Sequence, residues 1–287
     1  MKRILHLAAI LILAGAACGA PTDVETSGSS ALEPVTPATQ GVSPDQIESP
    51  LSDDALVHPL LAYLAGESRY QPAGAIEISA TNDCMASAGF DLPDVELTSG
   101  FVSQPFTRAE LLSFRSQYGY GMNSEPAANT AAFDAVRSAL DARETLSRSL
   151  VGAERAAFDQ ALYGTEGPQP EGEEQGGCLG VGAEALQKAV PALSLPAELQ
   201  SAMSERLTQG YADIDESGYL SCIRADGYGD VGTVDDLPSR GLESSSAAAE
   251  LEIAQADAEC ADRHMWAQIM TLEQETLSWL EGELASR

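Results

Sequence analysis

The nine residues that begin at Asp213 carry oxygen-bearing side chains at a spacing suited to calcium. Asp213, Asp215 and Ser217 occupy positions 1, 3 and 5 of an EF-hand loop, and the glycine that such a loop needs for its turn follows at position 6. Position 12, which normally supplies a bidentate glutamate, is Arg224, whose charge repels a cation. Apolar residues keep helical spacing through the same stretch. We therefore expect a continuous helix here, with a calcium-binding surface protein as an alternative.

Residues for nucleophilic or acid–base catalysis are scarce. The sequence contains no His-Glu-x-x-His, no Gly-x-Ser-x-Gly and no phosphate-binding glycine loop. After the amino-terminal segment, the only histidines are His58 and His264 and the only lysine is Lys188, and we expect both histidines at helix caps or surfaces. Because the chain has 44 acidic residues, adjacent carboxylates are inevitable, and their presence does not distinguish a hydrolase from any other acidic protein. An extracellular hydrolase that uses carboxylates therefore stays an alternative.

Cys18 closes an amino-terminal export signal. Lys2 and Arg3 precede an apolar stretch over 4–17 that is too short to span a bilayer but suits a signal peptide. Its end, Ala14-Gly15-Ala16-Ala17-Cys18-Gly19, resembles a bacterial lipobox, in which the cysteine receives a diacylglycerol thioether and becomes the mature amino terminus. We expect residues 1–17 to be a lipoprotein signal peptide and Cys18 to be the lipid anchor. Ordinary cleavage nearby, which would give a secreted protein, is the alternative.

The remaining four cysteines are an even set in an exported chain, so we expect two disulfides. Four cysteines permit three pairings. Cys84 and Cys222 each open a Cys-x4-Gly-aromatic motif, which predicts a helix end with the glycine as its left-handed stop. If the two motifs mark equivalent units, each first cysteine bonds the next one along the chain, which gives Cys84–Cys178 and Cys222–Cys260. Free buried thiols, or a metal at Cys260 and His264, are the alternatives; we expect no metal and no cofactor.

The charge balance excludes two classes of partner. Acidic residues outnumber basic ones 44 to 15, for a formal net charge of −29. Nucleic acid requires a basic face that displaces counterions, and an anionic bilayer attracts basic surfaces. We therefore expect contact with the bilayer through an acylated Cys18 only, and no nucleic-acid partner. The acidic surface is either a solvated coat or a binder of cationic ligands.

Two regions follow the signal peptide. Residues 18–50 are rich in proline, serine and threonine and contain no aromatic residue, which predicts a disordered, lipid-anchored stalk. Residues 51–287 carry mostly helical signals, including a capping box at Thr107 and a cap near Ser246 that opens a long helix running nearly to the carboxyl end. We expect a mainly α, disulfide-stapled helical bundle. If it contains two cysteine-bearing units, they are 51–193 and 194–287.

Several short motifs recur together across this bundle. They are the two Cys-x4-Gly-aromatic units, Gly177-Cys178 and the Ala-Asp-x-x-Cys motif at Ala256–Cys260. Together they resemble an uncharacterised family of exported lipoproteins of actinobacteria. That family often has tryptophan three residues before the third cysteine of the domain, where this chain has Tyr219. The resemblance implies the architecture and implies no catalytic residue or ligand.

These observations define an expected function class. We expect a cell-surface lipoprotein, extracytoplasmic and anchored by its lipid to the outer face of the cell membrane. The sparse catalytic residues favour a non-enzymatic binding or envelope-interaction module. The partner that we expect is an envelope component or a small ligand.

Overall fold

The computed structural model describes residues 50–97, 100–101, 105–165, 167–169 and 176–287. Within these ranges the regular structure is helical, and the one β interaction is an isolated antiparallel bridge between Leu56 and Thr107. The mainly α class and both expected disulfides are confirmed. The signal peptide, Cys18 and the stalk up to residue 49 lie outside the described residues. No helix in the described ranges combines the length and the apolar character that crossing a bilayer requires.

The helices differ widely in length, and two short 3-10 helices, Gly66–Arg69 and Pro191–Ser194, join some of them. In chain order the α-helices are α1 Pro59–Ala65, α2 Ala73–Ser87, α3 Arg108–Tyr118, α4 Ala127–Ser149, α5 Gly152–Tyr163, α6 Gly177–Ala189, α7 Ala197–Ala212, α8 Ser217–Ala225, α9 Asp236–Leu242, α10 Ala247–His264 and α11 Trp266–Ala285.

The first disulfide group consists of α2, α4, α5 and α6, and the Cys84–Cys178 bond joins α2 to α6. These two helices approach closely at Gly182, where a Cβ would stand 2.2 Å from Thr81 Oγ1. Only a residue without a side chain allows this distance. Met85 and Phe158 lie in the core of the group, beside the disulfide.

The second disulfide group consists of α3, α8, α9 and α10, and the Cys222–Cys260 bond joins α8 to α10. Its core contains Tyr219, Ile223 and Leu237. The capping box at the start of α3 is present, because the Thr107 side chain accepts from the backbone of Glu110 while Glu110 bonds back to the backbone of Thr107. The cap by Ser246 at the start of α10 is also present.

The bridging group consists of α1, α7 and α11, and its core is the largest apolar cluster of the described chain. Leu60 and Leu64 of α1 lie in one cluster with Leu207 of α7 and Leu280 of α11. In addition, α3 packs on α10. Packing therefore crosses the suggested boundary between 193 and 194, since both α1 and α3 precede that boundary and pack against helices that follow it.

The two Cys-x4-Gly-aromatic motifs form the same kind of helix end. Gly89 has φ 92° and Gly227 has φ 101°, so each glycine takes the left-handed conformation that stops its helix. The N–H of Phe90 donates to the carbonyl of Met85 at 2.9 Å, and the N–H of Tyr228 makes the equivalent bond at 3.2 Å. The predicted helix stops are confirmed.

The expectation of continuous helices was wrong at two places. The helix through the calcium-like stretch is interrupted at 213–216, where Asp215 Oδ1 accepts from the N–H of Ser217 at 3.0 Å and so satisfies the first turn of α8. The carboxyl-terminal helix is interrupted at Met265, between α10 and α11. Tertiary packing explains both breaks, because α8 and α10 are joined by a disulfide whereas α7 and α11 pack in the bridging group.

Candidate functional site

Glu250 fixes the turn after α3. Its carboxylate is fully buried and accepts four hydrogen bonds of 2.8–2.9 Å, two on each oxygen. The donors are the N–H groups of Tyr120, Met122 and Asn123 and the side-chain amide of Asn123. Desolvation raises the pKa of Glu250, but these hydrogen bonds outweigh it and hold the pKa below the ordinary value. We call residues 119–123 the Glu250 loop.

Asp257 receives two tyrosine hydroxyls, one on each oxygen. Tyr219 donates to Oδ1 at 2.6 Å and Tyr120 donates to Oδ2 at 2.9 Å. The guanidinium of Arg115 lies 4.4 Å from the centre of the Tyr120 ring. Burial raises the pKa of Asp257, and the hydrogen bond from Tyr219 and the charge of Arg115 only partly oppose it. Burial, and next the charge of Asp257, also raise the pKa of both tyrosines.

A third carboxylate of α10 holds the start of α3. Arg108 donates from Nε and Nη2 to the two oxygens of Asp262 at 2.7 and 2.8 Å, a bidentate pair, and its Nη1 also pairs with Asp53. The hydrogen bond to Asp262 is the main cause that raises the pKa of Arg108. Asp262 is buried and lies on α10. Through Arg108, it therefore holds both the start of α3 and the segment around Asp53 against α10.

The fourth carboxylate is that of Glu273 on α11, and Glu273 is also buried. His58 Nδ1 lies 2.8 Å from Glu273 Oε1, and Tyr211 donates its hydroxyl to the same oxygen at 3.1 Å. The other oxygen accepts from the N–H groups of Leu60 and Leu61 at 3.2 and 3.4 Å. Glu273 therefore caps the first turn of α1 from a distant helix.

These four carboxylates share one chemical role. Each accepts hydrogen bonds from donors of the protein itself, and each joins segments far apart in the sequence. A carboxylate whose oxygens are engaged in this way is a structural acceptor. The imidazole of His58 contacts the carboxylate of Glu273, which is the arrangement of a histidine base oriented by a carboxylate. In the described residues, Glu273 is the one hydrogen-bond partner of the His58 ring.

The residues predicted for calcium lie at the turn between α7 and α8. Asp213 directly follows α7 and is exposed, and Ser217 is the first residue of α8. The Asp215 side chain accepts from the backbone N–H of Ser217 at 3.0 Å. Hydrogen bonding with the Ser217 side chain, and next with its backbone N–H, lowers the pKa of the Asp215 carboxyl. The structure thus brings the three residues into one turn, with Asp215 engaged as a local acceptor.

The sulfur atoms are engaged as well. Across the described ranges, one group of three possible metal-ligand atoms lies within 4.8 Å of one another, and it comprises Cys222, Asp226 and Cys260. Both of its sulfurs belong to the disulfide, so neither is a thiolate that could bind a metal. The two disulfides together overturn the alternative of free buried thiols, and the Cys222–Cys260 bond overturns that of a metal shared by Cys260 and His264. The His264 ring lies beside Gly218 instead, and Lys188 is exposed near the end of α6.

The roles of Glu250, Asp257, Asp262 and Glu273 were not among the expectations from the sequence. The Ala-Asp-x-x-Cys motif contains Asp257, and that motif was the one local signal for it. For the other three acids no local pattern distinguishes them from the exposed acids of the same chain. No protein-family model, curated protein or solved structure matches the chain.

Proposed function

We propose that this protein is a lipid-anchored lipoprotein of the cell surface that acts as a non-enzymatic binding module. The observation that carries the proposal is the use of four carboxylates, of which three are buried and that of Asp257 is partly buried. Glu250, Asp257 and Asp262 hold a single segment, from α3 to the Glu250 loop, against α10, and Glu273 holds α1. Carboxylates of the kind that an acid–base enzyme would use for catalysis here form hydrogen bonds that stabilise the fold.

The same observation weighs against the carboxylate hydrolase. Hydrolysis of a glycosidic bond needs two carboxyl groups that face the substrate, one of them able to donate a proton. Asp257, whose pKa is raised chiefly by burial, has both oxygens occupied by tyrosine hydroxyls. A substrate would have to displace Tyr120 or Tyr219, which would cost a charge-assisted hydrogen bond of about 1.5–3 kcal/mol.

Support for the anchor comes from the amino terminus of the sequence and from the two disulfides. A basic pair, a short apolar stretch and a small residue before Cys18 fit lipoprotein export. Two disulfides in one domain fit an oxidising compartment. The resemblance to exported actinobacterial lipoproteins agrees with this location.

The anchor is tested by expressing the full chain in a bacterial host supplied with an alkyne-bearing palmitate. We expect label on the wild-type protein and its recovery with the membrane fraction. Cys18→Ser should lose the label and leave the membrane fraction, whereas Ser29→Ala, a matched change within the stalk, should keep both. Equal labelling of wild type and Cys18→Ser would overturn the anchor.

The non-enzymatic part of the proposal has its own test. Glycosidase activity of the purified mature chain is measured on a panel of aryl glycosides. We expect no turnover above that of a heat-unfolded sample. Turnover that is abolished by Asp257→Asn or Glu273→Gln, in variants that keep the wild-type circular dichroism spectrum, would contradict the proposal.

A further inference from the structure

The Cys222–Cys260 disulfide has a charged side chain beside each of its two sulfur atoms. Arg263 Nη1 lies 3.8 Å from the Sγ of Cys222, and Asp226 Oδ2 lies 3.5 Å from the Sγ of Cys260. The two sulfurs and a carboxylate oxygen of Asp226 all lie within 4.8 Å of one another. A cation and an anion are therefore placed at the two ends of one covalent bond.

The Cys84–Cys178 disulfide has different surroundings. Both of its cysteines lie in an apolar cluster with Met85 and Phe158. Within the described ranges, no charged side chain contacts its sulfurs in the way that the charged pair contacts those of the second disulfide. A closed disulfide carries no charge, so neighbouring charges affect its chemistry mainly when the bond opens and a thiolate forms.

The two cysteines of the second disulfide differ in their access to solvent. Cys260 is fully buried, whereas Cys222 on α8 is partly exposed. A thiolate that approaches from solution therefore meets Cys222 and not Cys260. The Arg263 side chain is 34% exposed, so its guanidinium can attract that thiolate and stabilise the negative charge that develops at Cys222.

Asp226 is suited to exchange a proton with Cys260. Burial raises the pKa of Asp226, and the charge of Arg263 opposes this rise only in part, while the charge of Glu259 adds to it. Tyr228 also faces Asp226. Glu259 Oε2 lies 3.6 Å from Nη2 of Arg263, which leaves Nη1 directed at Cys222. A carboxyl group with a raised pKa is a stronger base when it is ionised and holds its proton more readily.

We propose that the Cys222–Cys260 disulfide is an exchange site for small thiols, at which Cys222 bonds to the external sulfur and Cys260 is the resolving cysteine. The external thiolate attacks Cys222 Sγ, which forms one S–S bond and breaks the bond to Cys260. The electron pair leaves on Cys260 Sγ, which takes a proton from the Asp226 carboxyl group. In the reverse direction the Asp226 carboxylate removes that proton, the Cys260 thiolate attacks Cys222, and the external thiolate leaves.

The exchange is balanced without a further reactant. One thiol and one disulfide become one mixed disulfide and one thiol, and the proton that Cys260 gains replaces the one that the external thiol lost. The activity goes beyond the proposed binding function, because it forms a covalent bond. Its tests use the mature chain, residues 18–287, with Cys18→Ser, so they depend neither on the anchor nor on a binding partner.

The first test compares the two disulfides within one molecule. The folded chain is incubated with dithiothreitol without denaturant, quenched with acid and alkylated, and the newly formed thiols are assigned by peptide mass spectrometry. We expect Cys222–Cys260 to open faster than Cys84–Cys178 by about tenfold or more. Opening of Cys84–Cys178 at the same rate or faster would overturn the proposal.

The second test changes the cation. Arg263→Gln should slow the opening of Cys222–Cys260 by about threefold or more, and Arg263→Lys, which keeps the charge, should restore the rate. A purely structural role predicts the opposite, because a loosened fold exposes its disulfide and speeds its reduction. Arg137→Gln, at an exposed arginine that lies 3.7 Å from Asp134, is the control and should behave as wild type. An unchanged or faster rate in Arg263→Gln would contradict the role of Arg263.

The third test measures proton transfer in protein whose Cys222–Cys260 bond alone has been reduced. Dithiodipyridine, a neutral disulfide, releases an absorbing thiopyridone first when Cys222 attacks it and again when Cys260 closes the bond. Asp226→Asn should slow the second phase by about tenfold or more without slowing the first. Asp83→Asn, at an exposed acid beside Cys84, should change neither phase. A second phase as fast in Asp226→Asn as in wild type would contradict the role of Asp226.

Discussion

Gly119 lies against the side chain of Glu250. A Cβ at position 119 would stand 2.9 Å from Glu250 Cγ and 3.1 Å from its Oε1, and Gly119 has φ 63°. Position 119 therefore requires glycine for two separate reasons, its backbone conformation and the space that the buried carboxylate occupies. The hydrogen bonds of the Glu250 loop depend on this close approach.

Gly119→Ala should cost more stability than Gly152→Ala. Gly152 has a similar φ of 58° but nothing within 4 Å of its Cβ position, so its substitution isolates the backbone cost of about 1–2 kcal/mol. We expect Gly119→Ala to cost a further ~1–3 kcal/mol through overlap with Glu250. Urea unfolding of both variants measures the difference. Equal midpoints would show that the contact with Glu250 does not restrict position 119.

Removing the Glu250 carboxylate should be strongly destabilising. Glu250→Ala leaves four donors without their acceptor, and we expect a loss of about 3 kcal/mol or more in the free energy of unfolding. Glu252→Ala, at an exposed position on the same helix, should change stability by no more than about 0.5 kcal/mol. Similar losses in the two variants would contradict the role of the Glu250 loop.

The same carboxylate contributes to acid sensitivity. Because the pKa of Glu250 is lowered in the folded state, the native protein binds fewer protons than the unfolded chain as the pH falls below about 4.5. Stability from Glu250 is therefore present above that pH and is lost as the pH falls through the folded pKa. The slope of unfolding free energy against pH in this range should be smaller for Glu250→Ala than for wild type.

The two disulfides should contribute unequally. They close loops of 94 and 38 residues, for which the loop-closure model gives about 4.7 and about 3.9 kcal/mol. We expect the double variant Cys84→Ser/Cys178→Ser to be less stable than Cys222→Ser/Cys260→Ser by about 0.8 kcal/mol. Denaturant unfolding under non-reducing conditions tests the order, and the opposite order would contradict the loop-closure account.

Tyrosine titration should separate buried from exposed phenols. Burial, and next a neighbouring carboxylate, raise the pKa of Tyr120, Tyr211 and Tyr219 above the ordinary value of 10.0. Above pH 10 the native state consequently retains protons that the unfolded chain releases, so stability falls as the pH rises. The tyrosinate absorbance of these residues should appear only with alkaline unfolding. Tyr219→Phe should reduce the amplitude that accompanies unfolding, whereas Tyr70→Phe should leave that amplitude unchanged.

Calcium should not stabilise the protein. A ligand at 100 times its dissociation constant raises the unfolding free energy by about 2.7 kcal/mol, which is readily seen as a rise in Tm. Because Asp215 is already the acceptor for the start of α8, we expect no change at millimolar calcium relative to the same concentration of magnesium. A rise in Tm that is specific to calcium and is lost in Asp213→Asn would establish the calcium alternative.

Local signals explain what the sequence predicted well. The capping box at Thr107, the cap by Ser246 and the glycine stops at Gly89 and Gly227 each involve residues within a few positions of one another. The cysteine pairing followed from comparing two such helix ends. For the caps and the helix stops, the pattern and the structure it specifies occupy the same short stretch of sequence. The disulfides differ, because they join cysteines that are 94 and 38 residues apart.

The hydrogen-bond partners of the four carboxylates, in contrast, lie far from them in the sequence. Tyr120 and Tyr219 reach Asp257 from 137 and 38 residues away, and the donors of the Glu250 loop lie 127–130 residues before Glu250. Which acids are buried is decided by tertiary packing, so the spacing of acids along the chain does not reveal it. The helix breaks at 213–216 and at Met265 were missed for the same reason, since apolar spacing continues through both.

Mechanical tension would act on this domain unevenly, because each disulfide closes a loop within the chain. If the protein is pulled between residue 50 and its carboxyl end, the 94 residues between Cys84 and Cys178 cannot extend, and neither can the 38 between Cys222 and Cys260. Roughly 320 Å and roughly 130 Å of extended chain are thereby shielded from the load. Only three stretches can lengthen: before the first loop, between the loops, and after the second. Both the Glu250 loop and Asp257 lie inside shielded parts, whereas α1 lies in a stretch that bears the force.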